Sequence, residues 1–360
     1  MSNLYQAHRE WRTRPRDERF NTLAEMFNVA TYRTQLSVVS SVELPNLAVE
    51  ATDTGIVLRG DNFAASPTHW SFGQLGKLLG LPVEWLRNAP PTLVADSVRW
   101  GLMNAERKKM QLLWYIPENA GEAGLIRAVT TPTYKHLWDK DVIMLIRDIT
   151  QDEEAWHRPP AATDGSYPSG YYMGDQSMFL FLVNEEQRIS DGSPEGLARG
   201  FFVWNTEVQG GNLQSFGMRG FLYQKVCGNH IVWGSKDIFD LRMIHTGTEI
   251  YGRVRSAVTT ELARYQDNSA REDEQRILAA QHKVVGRVGN VGSSEQWLTQ
   301  RGLTLTLAKD VVHMVRSHDQ PLSVWAVVVA LTTLSQQQVF ADDRNKMDLL
   351  ATKLLSEVDA

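Results

Sequence analysis

The first group of residues that could do chemistry combines cations with aromatic rings. Three consecutive cations enter one predicted strand, a fourth cation lies on the next strand, and a Tyr-Lys-His triplet follows a proline. If the strands pair as a hairpin, the cations can contact the phosphates of a single-stranded backbone and Tyr134 can stack on a base. The first group is Arg107, Lys108, Lys109, Arg127, Tyr134, Lys135 and His136. A solvated hairpin face with one core tyrosine is the alternative interpretation.

The N-terminal segment alternates cations with aromatic residues and extends this predicted surface. Arg12, Arg14 and Arg16 lie within it, close to Trp11 and Phe20. We expect this arm to contact a nucleic-acid backbone or a neighbouring subunit.

The second group places polar residues between apolar runs in the region 201–233. Buried polar groups need partners, so these residues form either a core network or a ligand pocket. In an enzyme with such a pocket, Glu207 or His230 is the candidate general base. The second group is Asn205, Glu207, Arg219, Lys225, Cys227, Asn229 and His230. Cys227 is interpreted as a small buried hydrophobic residue, and no catalytic residue is assigned.

The composition is that of a globular protein and excludes several classes. The chain has 360 residues, is 42% hydrophobic and carries 37 Lys and Arg against 42 Asp and Glu, a net charge of −5. Its single cysteine excludes an intramolecular disulfide and an all-cysteine metal site. The sequence has no Walker A, nucleophile-elbow, kinase or HExxH motif, and we predict no metal site and no cofactor.

Two features of the sequence predict a soluble protein with no membrane partner. Residues 1–12 contain no apolar core of the kind found in secretory signals. The longest strongly apolar run, Val324 to Leu331, is far shorter than the roughly 20 residues that span a bilayer.

The acidic residues are concentrated in the middle of the chain. Residues 148–195 contain ten acidic residues and two arginines, a local net charge of −8. A solvated loop is the ordinary explanation of such a segment. The alternative is a scaffold or host-interaction protein that binds a partner through it.

The pattern of elements predicts an α+β fold with a central, mostly antiparallel sheet, N-terminal helices and a C-terminal helical region. The predicted parts are an N-terminal α+β part of the core at 1–150, an acidic loop or insertion rich in Pro, Gly and Tyr at 151–176, a β-rich part of the same core at 177–247, and a helical region at 248–360.

Individual elements follow from periodicity and from turn residues. Strands are predicted at 38–50, 55–59 and 221–233, the last with an interruption at Gly228-Asn229. A linker with regularly spaced glycines is predicted at 286–292.

Short motifs occur in a defined order along the chain. They are Trp70-Ser71-Phe72-Gly73-Gln74-Leu75 with Leu81-Pro82, Arg127-Ala128 before Tyr134, Asn205-Thr206-Glu207-Val208, Cys227-Gly228-Asn229, and Trp325 ahead of Ala330-Leu331-Thr332 and Arg344. Their order and spacing resemble the phage/plasmid-like family built on domain of unknown function 932, over roughly residues 20 to 355. The resemblance implies a cytoplasmic protein of bacterial or phage origin that serves DNA metabolism.

The leading hypothesis combines the first group with this resemblance. It is a phage or plasmid DNA-metabolism accessory protein that binds single-stranded nucleic acid without covalent chemistry and anneals or protects strands as a homo-oligomer. Two alternatives stay open. One is an enzyme with a polar pocket around Glu207, Lys225, Cys227 and His230, and the other is the scaffold or host-interaction protein.

Overall fold

A computed structural model describes residues 18–116, 123–151, 156–159, 170–174, 177–191, 196–208, 216–224, 229–231, 240–245, 249–267, 271–287, 289–318, 321–336, 347, 350–351 and 353–358. The strands within them are β1 (Arg19–Phe20), β2 (Val38–Glu43), β3 (Ala48–Thr52), β4 (Gly55–Gly60), β5 (Phe63–Pro67), β6 (Lys109–Tyr115), β7 (Gly124–Thr130), β8 (Tyr171–Met173), β9 (Met178–Ile189), β10 (Leu197–Asn205), β11 (Phe216–Gln224), β12 (Asn229–Ile231) and β13 (Asp240–Met243). The helices are α1 (Leu23–Leu36), α2 (His69–Leu78), α3 (Val83–Leu86), α4 (Pro91–Asn104), α5 (Asp139–Ile149), α6 (Ile250–Asp267), α7 (Arg271–His282), α8 (Val291–Thr299), α9 (Leu305–Ser317) and α10 (Val324–Gln336).

The first sheet has six strands in the order β2-β6-β7-β5-β4-β3. Its neighbouring strands are antiparallel except for β5 and β7, which are parallel. Helices α2, α3 and α4 cover one face, where Leu75, Leu86 and Val98 pack with Leu58 and Leu112 of the sheet. This face is therefore a helix-on-sheet layer with its own core.

Helix α2 lies beside β7 beyond the point where β5 ends. The last pair of the β5–β7 ladder is Pro67 with Ile126. Beyond it, Ser71 Oγ donates a hydrogen bond to Ile126 O at 2.5 Å, and Val129 N donates to Gln74 Oε1 at 2.9 Å. Ile126 O also accepts from Thr68 N at 3.1 Å, so the side chain that replaces a strand partner of β7 is that of Gln74, which accepts from Val129 N.

The second sheet has seven strands in the order β1-β8-β9-β10-β11-β12, and β13 also pairs with β11. Its two faces are both buried. Phe201 and Val203 of β10 pack on one face with α1, α5 and α6. Phe202 and Trp204, which alternate with them, join an aromatic cluster on the other face with Phe181 and further rings.

The predicted C-terminal helices are present as α6 to α10. Helices α7 to α10 share an apolar core to which Met347, Ala351 and Leu354 also contribute, and this core packs on Leu197 and Leu222 of the second sheet. Helix α8 begins inside the segment predicted as a linker at 286–292. Its first turn is capped by Asn290, whose Oδ1 accepts a hydrogen bond from Ser293 N.

The α+β class and the mostly antiparallel pairing are confirmed. The strands build two sheets where one central sheet was expected, because β2 to β7 pair among themselves and β1 pairs with β8. The predicted strand 38–50 is also divided, by a 3₁₀ turn at Leu44–Asn46. Pro45 lies in this turn and has no N–H to donate to a strand ladder.

Gly217→Ala is expected to destabilise the protein because Gly217 of β11 lies against the Trp204 ring. A Cβ at residue 217 would overlap the six-membered ring of Trp204, which is held in the aromatic cluster. The free energy of unfolding is expected to fall by about 1–3 kcal/mol, the usual cost of overpacking a core. Gly55→Ala is the matched control, because a Cβ there meets no atom within 4 Å. Equal urea midpoints for the two variants would contradict this packing.

Candidate functional site

A buried ion pair joins the two sheets. Arg127 lies on β7, and Glu207 follows the end of β10. Arg127 Nη1 lies 2.8 Å from Glu207 Oε2, and only 4% and 5% of the two side chains are exposed. Removing either charge would leave the other buried without its counter-ion, so each side chain requires its partner. The pair fixes the end of β10 against the first sheet.

The start of α5 is held by the same segment of chain. Glu207 Oε1 accepts a hydrogen bond from the backbone N–H of Asp139, the first residue of α5, at 2.8 Å. The N-cap residue Trp138 makes no side-chain capping bond, so Glu207 caps this helix from a distant position. Asn205 Nδ2 donates to Leu137 O at 2.9 Å and to Asp139 Oδ1 at 2.7 Å. Asn205, the last residue of β10, and Glu207, two positions further on, therefore position the start of α5.

Tyr134 and two histidines extend these contacts. Tyr134 Oη donates to Thr206 O at 2.9 Å and lies 2.9 Å from His245 Nδ1. Since a tyrosine hydroxyl has one proton, the bond to His245 runs from its Nδ1–H to the tyrosine oxygen. His136 Nδ1 lies 3.0 Å from the carbonyl oxygen of Glu207 and must donate to it. Among the described residues, neither Nε2 atom has a hydrogen-bond partner.

We call these residues the buried network: Arg127, Tyr134, His136, Asp139, Asn205, Glu207 and His245. Burial, with a smaller effect of His136, lowers the pKa of His245 from 6.5 to about 3. Burial also lowers the pKa of His136, against the attraction of Glu207. The pKa of Asp139 is raised well above 3.8, because burial and the charge of Glu207 both disfavour its carboxylate. Neutral forms are thus favoured for these three groups around a single ion pair.

The buried network unites parts of both sequence groups. Arg127, Tyr134 and His136 come from the first group, and Asn205 and Glu207 come from the second. Both carboxylate oxygens of Glu207 are engaged within the protein, so Glu207 is not placed to act as a general base. For Asn205 and Glu207, the geometry therefore favours a polar network within the core over a ligand pocket.

Arg219 lies on the other face of the second sheet. It is directly opposite Phe202 in the β10–β11 ladder, so its side chain shares the face of the aromatic cluster. Asn205 is three residues from Phe202 and points to the opposite face. The predicted pocket is therefore corrected, since Arg219 and Asn205 cannot line one cavity on this sheet.

Asn229 and His230 are also separated from the buried network. They begin β12, which pairs with the last residues of β11. Asn205 pairs with Phe216 at the other end of β11, roughly 25 Å away at about 3.3 Å per residue. Lys225 and Cys227 lie outside the described residues.

The first group is divided between the surface and the interior. Arg107, Lys108, Lys109 and Lys135 are exposed. Lys109 Nζ lies 2.8 Å from Glu43 Oε1 in an exposed ion pair, which raises the pKa of Lys109.

Two members of the first group are buried and cannot contact a strand at the surface. Arg127 is paired with Glu207, and the hydroxyl of Tyr134 is bonded to Thr206 and His245. The predicted contacts of Arg127 with phosphate and of Tyr134 with a base are corrected on this ground. Arg12, Arg14 and Arg16 lie outside the described residues.

A groove that the sequence analysis did not identify lies at the end of β7. Its volume is about 1060 Å³, and it lies between α2, α3 and residues 129–131. Trp85, 58% exposed, Trp70 and Lys77 line it. A large aromatic residue on a short helix after Pro82 is the sequence signal that could have indicated it.

A second cavity adjoins the groove. It has a volume of about 570 Å³ and lies between the β3–β4 turn, the start of α2 and the connection from α3 to α4. His69 and Arg87 line both spaces. We call it the polar cavity because Thr52, Thr54 and other hydroxyl-bearing residues line it.

Comparisons with known proteins do not assign the chain to a family. No protein-family model, no curated protein and no solved structure matches it. The resemblance to the phage/plasmid-like family stays a prediction from the short motifs. Across the described part of the chain, no three His, Cys, Asp or Glu side chains are grouped to hold a metal ion. No helix in those residues has the length and apolar character needed to cross a bilayer.

Glu207→Gln is expected to destabilise the protein strongly, although it preserves the shape of the side chain. Arg127 would be buried without its counter-ion, which costs about 3–5 kcal/mol. Glu50→Gln is the control, because the Glu50–Arg59 pair at 2.7 Å is about half exposed and such pairs contribute about 1 kcal/mol or less. Urea denaturation measures both variants. A loss of less than about 1 kcal/mol for Glu207→Gln would show that the fold does not depend on the pair.

The neutral histidines are expected to make the protein less stable in acid. Because the pKa of His245 falls from 6.5 to about 3 on folding, the unfolded chain binds more protons between these values. The free energy of unfolding therefore falls as the pH decreases below about 6.5, by at most about 1.4 kcal/mol per pH unit for one histidine. His245→Asn is expected to reduce this slope, and replacement of the exposed His313 by Asn to leave it unchanged. An unchanged slope in the His245 variant, from denaturation at several pH values, would contradict the assignment.

Proposed function

We propose that this protein binds single-stranded nucleic acid at the end of the first sheet where β6 begins and β7 ends. The observation that supports this is that three exposed cations lie at the start of β6, next to the end of β7, where a groove lined by an exposed aromatic ring begins. Residues 107–109, which we call the basic end, are three exposed cations at the start of β6. In the strand register Gln111 lies opposite Thr130, and Thr130 lines the groove that also contains Trp85.

The basic end has the chemistry needed to bind a phosphate backbone. Lys and Arg side chains neutralise phosphates and release their counter-ions, which makes the affinity dependent on salt. The ion pair of Lys109 with Glu43 does not prevent this, because both side chains are exposed and such a pair contributes about 1 kcal/mol or less. A phosphate oxygen can therefore replace the Glu43 carboxylate.

The overall charge of the chain limits binding to a local surface. The net charge is −5, and acidic residues are concentrated in 148–195, so attraction of nucleic acid to the whole molecule is not expected. The resemblance to the phage/plasmid-like family supports a place in DNA metabolism. It is also the basis for the finer proposal that the protein anneals or protects strands as a homo-oligomer.

Replacing Arg107, Lys108 and Lys109 together by Ala is expected to weaken binding of single-stranded oligonucleotides by at least about 10-fold at low salt. The slope of log affinity against log salt should fall by about 2, since each lost phosphate contact removes about 0.7. Fluorescence anisotropy with labelled DNA and RNA oligonucleotides at several salt concentrations measures both quantities. The mass of the protein, measured in parallel, tests the homo-oligomer.

A control variant removes the same charge from the helical region. Arg255, Lys309 and Arg316 are exposed on α6 and α9, and their joint replacement by Ala is expected to leave binding unchanged. Equal losses in both triple variants would show a non-specific charge effect. If the wild-type protein shows no salt-sensitive binding at micromolar concentration, the proposed function is wrong.

A further inference from the structure

The groove and the polar cavity meet at one pair of side chains. The groove of about 1060 Å³ and the polar cavity of about 570 Å³ are both lined by His69 and Arg87. Each volume lies in or close to the range of sites that hold a small organic ligand. The pair is therefore the shared wall between two ligand-sized spaces at the surface of the protein.

The guanidinium of Arg87 is fixed at this wall. Nη1 lies 2.6 Å from His69 Nδ1, and Nη2 donates to the carbonyl oxygen of His69 at 3.0 Å. The group lies 5.6 Å from the centre of the Phe72 ring. Arginine is always a donor, so His69 accepts at Nδ1 and is neutral with its proton on Nε2. The pair thus carries one positive charge in a fixed orientation.

Arg87 has donors left for an anion. Of the five N–H groups, the bonds to His69 use two and the one on Nε is buried, which leaves one N–H on Nη1 and one on Nη2 for a ligand. Among the described residues, the nearest carboxylate is that of Glu84, 3.9 Å from Arg87 Nε, and its side chain is 94% exposed, so it is largely solvated. Among the residues that line the two spaces, Glu84 is the acidic one. A phosphodiester, with one negative charge and two free oxygens, complements this guanidinium.

The groove is lined by aromatic and apolar side chains, and the polar cavity is lined by hydroxyl groups. The first suits the face of a base, and the second suits a sugar or the edge of a base. In the groove, Trp85 presents an exposed ring beside Leu78 and Leu81, a surface on which a base can stack. Trp70 is held in the wall by a hydrogen bond from Nε1 to Val208 O at 3.2 Å. In the polar cavity, Thr52, Thr54 and other hydroxyl-bearing residues offer hydrogen bonds to a sugar or a base edge.

We propose that the groove and the polar cavity are neighbouring nucleoside subsites for one strand, and that Arg87, supported by His69, binds the phosphate between them. This inference rests on the proposed function and names the site that selects an unpaired strand. The groove requires a base that is not stacked in a duplex, because stacking on Trp85 uses a base face that the adjacent base pair of a duplex covers. The basic end, by contrast, binds only the continuing backbone.

The base subsite is tested with a normal and an abasic oligonucleotide of about 12 nucleotides, within the site sizes of single-strand binders. The wild-type protein is expected to prefer the normal strand by roughly 5- to 100-fold, the effect of losing base stacking. Trp85→Ala should remove this preference. Trp100→Ala, at an α4 position that is 63% exposed against 58% for Trp85, should keep it. Thermal unfolding confirms that both variants are folded.

The phosphate subsite is tested with Arg87→Gln. This change is expected to weaken the binding of the normal and the abasic oligonucleotide about equally, and to lower the slope of log affinity against log salt by about 0.7. Arg59→Gln is the control, because Arg59 is an exposed arginine of β4 that is paired with Glu50 of β3 and lines neither space. Salt-sensitive binding that Trp85→Ala and Arg87→Gln both retain would overturn the two-subsite assignment and leave the basic end as the interface. Loss of binding in these variants with normal binding by the 107–109 variant would support the subsites and overturn the role of the basic end. A wild-type protein that binds neither oligonucleotide overturns both proposals.

Discussion

The ion pair between Arg127 and Glu207 is the contact on which the arrangement of the two sheets depends. It joins β7 of the first sheet to the end of β10 in the second, and almost none of either side chain reaches solvent. A buried pair is not a strong source of stability by itself, because desolvation offsets most of the attraction. It does impose a constraint, since a relative displacement of the sheets would separate two charges in a medium of low dielectric constant. The pair therefore specifies the geometry more than it stabilises the fold.

The three titratable groups next to the ion pair, His136, His245 and Asp139, add no further charge to the interior because burial favours their neutral forms. Burial disfavours the cationic forms of His136 and His245 and the anionic form of Asp139. Several hydrogen bonds of the network go to backbone groups, as when Glu207 accepts from Asp139 N and Tyr134 donates to Thr206 O. A second full charge at this depth would require its own counter-ion. The network thus carries one ion pair and uses its other members to hold the start of α5 and the segment after β10.

The sequence predicted individual helices and strands better than it predicted contacts between residues that are far apart in the chain. Local signals predict the strand at 55–59 and the hairpin of β6 and β7, since periodicity and turn residues act over a few positions. The members of the buried network lie far apart in the chain, and Arg127 and Glu207 are separated by 80 residues. Nothing in residue type distinguishes a buried Arg127 from the exposed Arg107, so both were assigned to one surface. The groove was missed for the same reason, because it forms only where α2 packs against β7.

The buried network and the groove share a structural element, which connects the constraint between the sheets to the proposed binding surface. Gln74 on α2 accepts a hydrogen bond from Val129 N and donates one to Val208 O at 3.3 Å, and Trp70 donates to the same oxygen. Val208 directly follows Glu207, so the ion pair that fixes Glu207 also fixes the acceptor that holds both side chains. Trp70 and Gln74 line the groove. The shape of the groove therefore depends on a buried contact between the sheets, and we expect a change at Arg127 or Glu207 to affect the groove through Val208.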